Sequence, residues 1–201
     1  MLIKVCGITT VEAAKAVEKY GADFIGFLFA PSKRKIAPKD AKNIAKELSP
    51  NVKKVGVFVN ESIENIIDIA TTVGLDYIQL HGDEDANFAK QIPFPVIKAF
   101  SIDQIDLNSV EQYPADFFLL DSPGKKYRGG TGETFNWERI KELNIDTEKI
   151  ILAGGLHAEN VQTAIQTVAP RGIDVSSGVE TDGKKDPAKI KEFLQRARQL
   201  Q

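Results

Sequence analysis

The chain has 201 residues, 42% of them hydrophobic and 27% charged, with a formal net charge of −2. That composition excludes a disordered or fibrous chain and predicts one domain over residues 1–201, long enough to bury a core without disulfides or structural metal. One cysteine excludes an internal disulfide, two histidines leave little for a zinc site, and the balanced charge gives no footprint for nucleic acid. The longest apolar runs, such as residues 24–30, are too short to cross a bilayer. No basic and apolar leader opens the chain, so the expected compartment is the cytoplasm.

Short apolar, β-branched runs alternate with amphipathic stretches along the whole chain. The first run, Ile3–Cys6, ends on the lone cysteine. Gly7 then marks a turn, and Thr9 and Thr10 offer helix caps for a helix over Thr10–Lys19 with Val11, Ala14 and Val17 near one face. Further strands are predicted at Phe24–Leu28, Lys54–Val59, Tyr77–Leu80, Val96–Phe100, Phe117–Asp121, Ile150–Ala153 and Gly172–Val175. Ser62 opens a helix carrying Ile66, Ile67, Ile69 and Ala70, and Asp103–Gln112 places Ile105 and Val110 inward. Pro187 suits the first position of a final helix running to Arg198.

Near-continuous apolar strands signal a parallel sheet covered on both faces. Eight strand–helix units predict an α/β fold of the closed (β/α)8 barrel type. A doubly wound open sheet is the alternative, but the turn after the first strand, Cys6-Gly7-Ile8-Thr9, is not a dinucleotide-binding fingerprint. The longest loop expected is residues 122–135, and the stretch Tyr127–Trp137, with its glycines and Trp137, suggests a lid with an aromatic anchor.

In such a barrel the strand C-termini converge on one face, where active sites lie. Those ends carry Cys6, the basic loop to Arg34, Asn60, His81, Asp121, Gly154-Gly155 and Ser176-Ser177-Gly178. Glycines at the last two ends let backbone N–H groups approach an anion, so Gly154, Gly155, Ser177 and Gly178 are the expected phosphate site. The competing reading is that these glycines only make tight turns. Asp121 ends an apolar run, where partial burial raises a carboxyl pKa toward that of a general acid; alternatively, it merely caps its turn. Cys6 is either a small buried hydrophobe or a reactive thiol. His81 is a secondary acid–base or positioning candidate, and Arg34 either a solvated charge or a carboxylate fork.

Taken together, Lys4-Val5-Cys6-Gly7-Ile8-Thr9, Gly26 through Arg34, Gln79-Leu80-His81-Gly82, Leu119 through Ser122, Gly129 through Trp137, Ala153 through Leu156 and Asp174 through Glu180 resemble the phosphoribosylanthranilate isomerases of tryptophan biosynthesis. The resemblance covers nearly the whole chain in family order. It implies an Amadori rearrangement of N-(5'-phosphoribosyl)anthranilate with Cys6 as base, Asp121 as acid and Arg34 on the anthranilate carboxylate, with His81 nearby. It also implies no metal or organic cofactor, a small phosphoribosyl substrate as partner, no nucleic acid or membrane, and a monomer or homodimer. The segments 125–128 and 180–186 look variable. Other readings are another phosphate-binding barrel enzyme, such as an epimerase or a Schiff-base aldolase using Lys4 or Lys98, and a non-catalytic phosphoribosyl-binding module.

Overall fold

The computed structural model describes residues 1–103, 110, 112–122, 137–142 and 145–199. Eight strands close into a barrel in sequence order, β1 through β8, with every neighbouring pair parallel. They are β1 (Leu2–Cys6), β2 (Phe24–Leu28), β3 (Lys53–Phe58), β4 (Tyr77–Leu80), β5 (Val96–Ser101), β6 (Phe117–Asp121), β7 (Ile150–Leu152) and β8 (Gly172–Val175). The expected closed barrel is the fold, and the strand boundaries agree with the sequence reading to within a residue at each end.

Among the described residues the α-helices are α1 (Val11–Lys19), α2 (Pro38–Lys46), α3 (Ile63–Val73), α4 (Ala86–Ala89), α5 (Glu138–Glu142), α6 (Val161–Val168) and α7 (Pro187–Arg198). Their ends follow local chemistry. The Thr10 hydroxyl accepts from Ala13 N to start α1, Ser62 from Asn65 N to start α3, and the Asp186 carboxylate from Ala188 N to start α7. Of the helix expected over 103–112, Val110 is buried as anticipated, while Ile105 lies outside the described residues. The lid expected at 122–135 also lies outside them, except Ser122. No described helix is long and apolar enough to cross a membrane.

Alternation along the strands splits the core in two. Ile3, Val5, Ile25, Phe27, Ile78 and Leu80 join the large cluster shared with the helices. Phe24, Val55, Ile97, Leu119 and Ile151 form a second, smaller cluster inside the barrel. Its floor is aromatic: Phe24 meets Tyr77 edge-on at 5.4 Å, and Tyr77 meets Phe117 at 6.3 Å, all three opening even-numbered strands. Contributions from alternate strands are how a barrel fills its interior in layers. The inward positions nearer the strand C-termini include the polar or reactive Lys4, Cys6, Gln79, Asp121 and Asp174.

After β8 the chain makes a feature the sequence reading did not anticipate. Residues 180–186 form a small antiparallel hairpin, β9 (Glu180–Thr181) with β10 (Lys184–Lys185), that pairs Lys185 with Glu180. A segment judged variable is therefore an ordered part of the barrel rim.

Candidate active site

Cys6 is the last residue of β1 and Asp121 the last of β6, so the two expected reactive groups do stand at strand C-termini on one rim. Both are 7% exposed. Period-two alternation puts Lys4 on the same inward face of β1 as Cys6. The register also sets Lys4 directly beside Asp174 of β8, and its Nζ donates to Asp174 Oδ1 at 3.0 Å. Lys4 is 1% exposed, making this one of the most buried ion pairs in the chain.

Gly26 of β2, opposite Cys6 in the register, supplies the room these groups need. A Cβ there would lie 2.8 Å from Cys6 Sγ and 3.3 Å from Lys4 Nζ. Thiol and ammonium therefore share one small space. Burial pushes the Cys6 pKa above its ordinary value, Lys4 and Lys185 draw it down, and Asp174 adds to the rise. Burial also opposes the charge on Lys4, but Asp174 and the Cys6 thiolate outweigh it and leave the Lys4 pKa raised. Lys4 is a cation poised beside a thiol that burial resists ionising.

Asp121 is pushed up to about 6, first by burial and then by the Asp174 charge, against two hydrogen bonds from Ser122 and the attraction of Lys4. Ser122 N donates to Asp121 Oδ1 at 2.8 Å. The other oxygen, Oδ2, faces His81 Nε2 at 3.7 Å. His81 is held from behind by Gln79, whose Nε2 donates to His81 Nδ1 at 2.8 Å; in that amide orientation the ring proton sits on Nε2, toward Asp121. Gln79 Oε1 is then buried without a partner among the described residues. Asp121 and His81 are brought together, and the Lys4–Asp174 pair acts electrostatically on both Cys6 and Asp121.

The expected phosphate residues also converge. Gly154 and Gly155 have φ of +83° and +62°, a left-handed pair that turns successive backbone groups to one side. A bridge between His157 and Gly178 ties this loop to Ser177-Gly178 after β8. Asn160 reinforces the turn, accepting from His157 N at 2.9 Å and donating to the Gly155 carbonyl at 2.9 Å. Gly154 lies against Ser122, so close that a Cβ would fall 2.5 Å from Ser122 N. The loop after β7 thus packs on the residue that holds Asp121.

Arg34 is buried at the same rim, crossing Gly7 immediately after Cys6. It is not a solvated charge. Its Nε and Nη2 grip the Glu180 carboxylate at 2.6 and 2.9 Å. Lys185 Nζ reaches the same carboxylate at 2.6 Å and the Ser176 carbonyl at 2.8 Å. The two strand lysines considered for Schiff-base chemistry are both engaged. Lys4 pairs with Asp174. Lys98 sits between inward-facing Ile97 and Ala99, pointing away from the barrel interior, and its Nζ meets Glu84 Oε2 at 2.8 Å.

Sequence reasoning gave no individual role to Asp174, Glu180, Lys185 or Gly26, although all but Lys185 stand in the stretches that carry the family resemblance. Asp174 had a signal: a carboxylate inside the apolar run Gly172–Val175, at the inward parity of its strand. Glu180 and Lys185 had none, because only the hairpin turns them over the mouth.

A family model described as N-(5'phosphoribosyl)anthranilate (PRA) isomerase matches residues 3–196. A curated N-(5'-phosphoribosyl)anthranilate isomerase from Oceanobacillus iheyensis is 51% identical over 195 residues, spanning 96% of this chain and 95% of its own. The crystal structure of phosphoribosyl anthranilate isomerase from Thermus thermophilus aligns with a TM-score of 0.91 at 35% identity, covering 100% of both chains. Another solved phosphoribosyl anthranilate isomerase, in complex with reduced 1-(o-carboxyphenylamino)-1-deoxyribulose 5-phosphate, aligns with a TM-score of 0.84 at 40% identity, again over 100% of both chains.

Proposed function

This chain belongs to the N-(5'-phosphoribosyl)anthranilate isomerase family, and we propose that Cys6 is the general base and Asp121 the general acid of its reaction. It is an isomerase of tryptophan biosynthesis. The substrate of this reading is N-(5'-phosphoribosyl)anthranilate, and the complex of a relative with a reduced carboxyphenylamino-deoxyribulose phosphate supports a ligand of that chemistry.

The observation that carries the assignment is a buried carboxyl held at about 6 on the same rim as a buried thiol that lies beside an ammonium. An aminoaldose becomes an aminoketose by acid-assisted ring opening followed by tautomerisation through an enolamine. Asp121 delivers a proton to the furanose ring oxygen as the bond from that oxygen to C1' breaks, and the anilino nitrogen lone pair forms a C1'=N Schiff base. The Cys6 thiolate then removes the C2' proton, and the electron pair flows to the nitrogen to give an enolamine. Protonation at C1' and loss of the C2' hydroxyl proton yield the ketone. The substrate nitrogen is the electron sink, so this route uses no enzyme amine.

The surrounding groups have matching work. Lys4 stabilises the thiolate that burial disfavours, and Asp174 keeps Lys4 charged. His81, oriented by Gln79, presents Nε2–H beside Asp121 to a substrate oxygen. Gly154, Gly155, Ser177 and Gly178 take the phosphate through backbone N–H groups and the Ser177 hydroxyl. Arg34 takes the anthranilate carboxylate, a pairing its guanidinium geometry suits.

The test is loss of anthranilate-ribotide fluorescence from freshly made substrate, measured for the parent, Cys6→Ala and Asp121→Asn. Losing an acid or base removes about 10²–10⁴ in rate, so each variant should fall by at least that much while still binding a phosphorylated product analogue. Near-parental turnover in either variant removes that residue from the mechanism.

A further inference from the structure

We propose that Glu180 is a positioning residue for substrate recognition: it clamps one edge of the Arg34 guanidinium so that the other edge is presented to the substrate's aryl carboxylate. This deepens the assignment of Arg34 above and rests on it.

An arginine fork has two usable edges, one formed by Nε with one terminal nitrogen and one by the two terminal nitrogens. Glu180 takes the first, accepting from Nε at 2.6 Å and from Nη2 at 2.9 Å. Nη1 has no partner among the described residues, so the second edge is the one left for a ligand. A single side-chain conformation is enforced, since both partners are buried and the Arg34 stem is confined against Gly7.

Charge leads to the same reading. Glu180 is shared by two cations, Arg34 and Lys185, both buried with it. The nearby Lys4–Asp174 pair is internally balanced. The Arg34–Glu180–Lys185 group therefore carries one positive charge beyond its own compensation, in a place where burying unpaired charge is costly. The Cys6 thiolate faces the Lys185 side of this group, and a substrate carboxylate is the partner left for the Arg34 side. Lys185 also keeps Glu180 from repelling that carboxylate, since a second anion beside an unneutralised glutamate would lose much of the attraction Arg34 offers.

The clamp comes from the hairpin. Glu180 and Lys185 are register partners across β9 and β10, so both groups arrive on one small rigid unit, anchored by Lys185 on the Ser176 carbonyl. Ser176 in turn donates from its Oγ to the Cys6 carbonyl at 3.2 Å. The carboxylate subsite is thus tied to the strand that bears the base, which sets the distance from the aryl end of the substrate to its reacting carbon.

Steady-state constants for Glu180→Gln, Arg34→Ala and the double variant, with thermal unfolding of each, test the inference. Glu180→Gln should raise KM about tenfold with kcat within about threefold, the signature of lost uniform binding. The double variant should be no worse than Arg34→Ala, because Glu180 acts through Arg34. If Glu180→Gln does not fold, Glu180→Asp keeps the charge while withdrawing the carboxylate from the fork, and its KM should rise as well. An unchanged or lowered KM in the variant that folds overturns the inference, a lowered one marking Glu180 as a competitor for Arg34. So does a double variant whose losses multiply. A raised KM in Arg34→Ala with none in the Glu180 variants defeats the role of Glu180 alone; an unchanged KM in Arg34→Ala defeats the carboxylate reading beneath it and this inference together.

Discussion

Cys6 Sγ and Lys4 Nζ lie within 2.8 and 3.3 Å of the same point above Gly26, where any other residue would place its Cβ. A glycine on a neighbouring strand thus keeps a thiol and an ammonium in one pocket. Replacing it tests whether that closeness matters.

Gly26→Ala should cost about 1–3 kcal/mol of stability through overpacking. It should lower kcat by more than the stability loss implies, because the methyl displaces Sγ, Nζ or both. Chemical unfolding beside single-turnover rates separates the two effects, and a variant with intact kcat shows that the pocket tolerates the shift.

Lys4→Met should make Cys6 harder to ionise. An opposite charge at this range typically moves a pKa by about 1–3 units, so the pH midpoint of Cys6 alkylation by iodoacetamide should rise by at least about one unit. Lys185 also faces the thiol and remains in the variant, while Asp174 loses its partner, so the shift reports removal of the Lys4–Asp174 ion pair as a unit. An unmoved midpoint means the ammonium does not support the thiolate.

The pH–rate profile should have an unusual shape. The active form needs Asp121 protonated and Cys6 ionised, yet Asp121 titrates near 6 and the thiol above its ordinary range of about 8.5. Between those values the protonated fraction of one falls as fast as the ionised fraction of the other rises. kcat/KM should therefore climb to about pH 6 and stay level to beyond about pH 8.5, with the acid limb set by the acid and the alkaline limb by the base. A steady decline starting just above pH 6 means that thiol ionisation does not enter the rate.

Asp121→Asn should stabilise the protein while inactivating it. The native state holds the Asp121 proton more tightly than the unfolded chain, with a pKa of about 6 against the ordinary 3.8. The contribution of this group to stability is thus whole below the lower value, declines as pH rises between the two, and is gone above the higher. An uncharged isostere escapes that decline, so the variant should match the parent near pH 4 and exceed it by at most about 3 kcal/mol at pH 8. Urea unfolding at the two pH values measures the difference, and equal stability at pH 8 places Asp121 in a better solvated setting.

The barrel was legible in the chain because the strands announce themselves locally. Runs such as Phe24–Leu28 and Phe117–Asp121 are apolar on both faces, and only a parallel sheet covered inside and out accommodates eight of them. Strand ends could be read for the same reason, which is why Cys6, His81, Asp121, Gly154 and Ser177 were nameable as a set. Asp174 was given no role although its parity along β8 placed it inward, because an isolated carboxylate in a strand has no partner in the sequence.

By itself, then, the sequence determined the architecture and the rim on which chemistry sits, since both follow from periodicity and from where apolar runs stop. The tertiary structure decided which charges meet. Lys4 and Asp174 are 170 residues apart and Arg34 and Glu180 are 146 apart, and neither pair is implied by any local pattern. Barrel closure sets β1 against β8, and the hairpin brings Glu180 over the loop after β2. Coulombic coupling in a desolvated interior depends on those few ångströms, so the state of Cys6, Asp121 and Arg34 is fixed only once the chain has closed on itself.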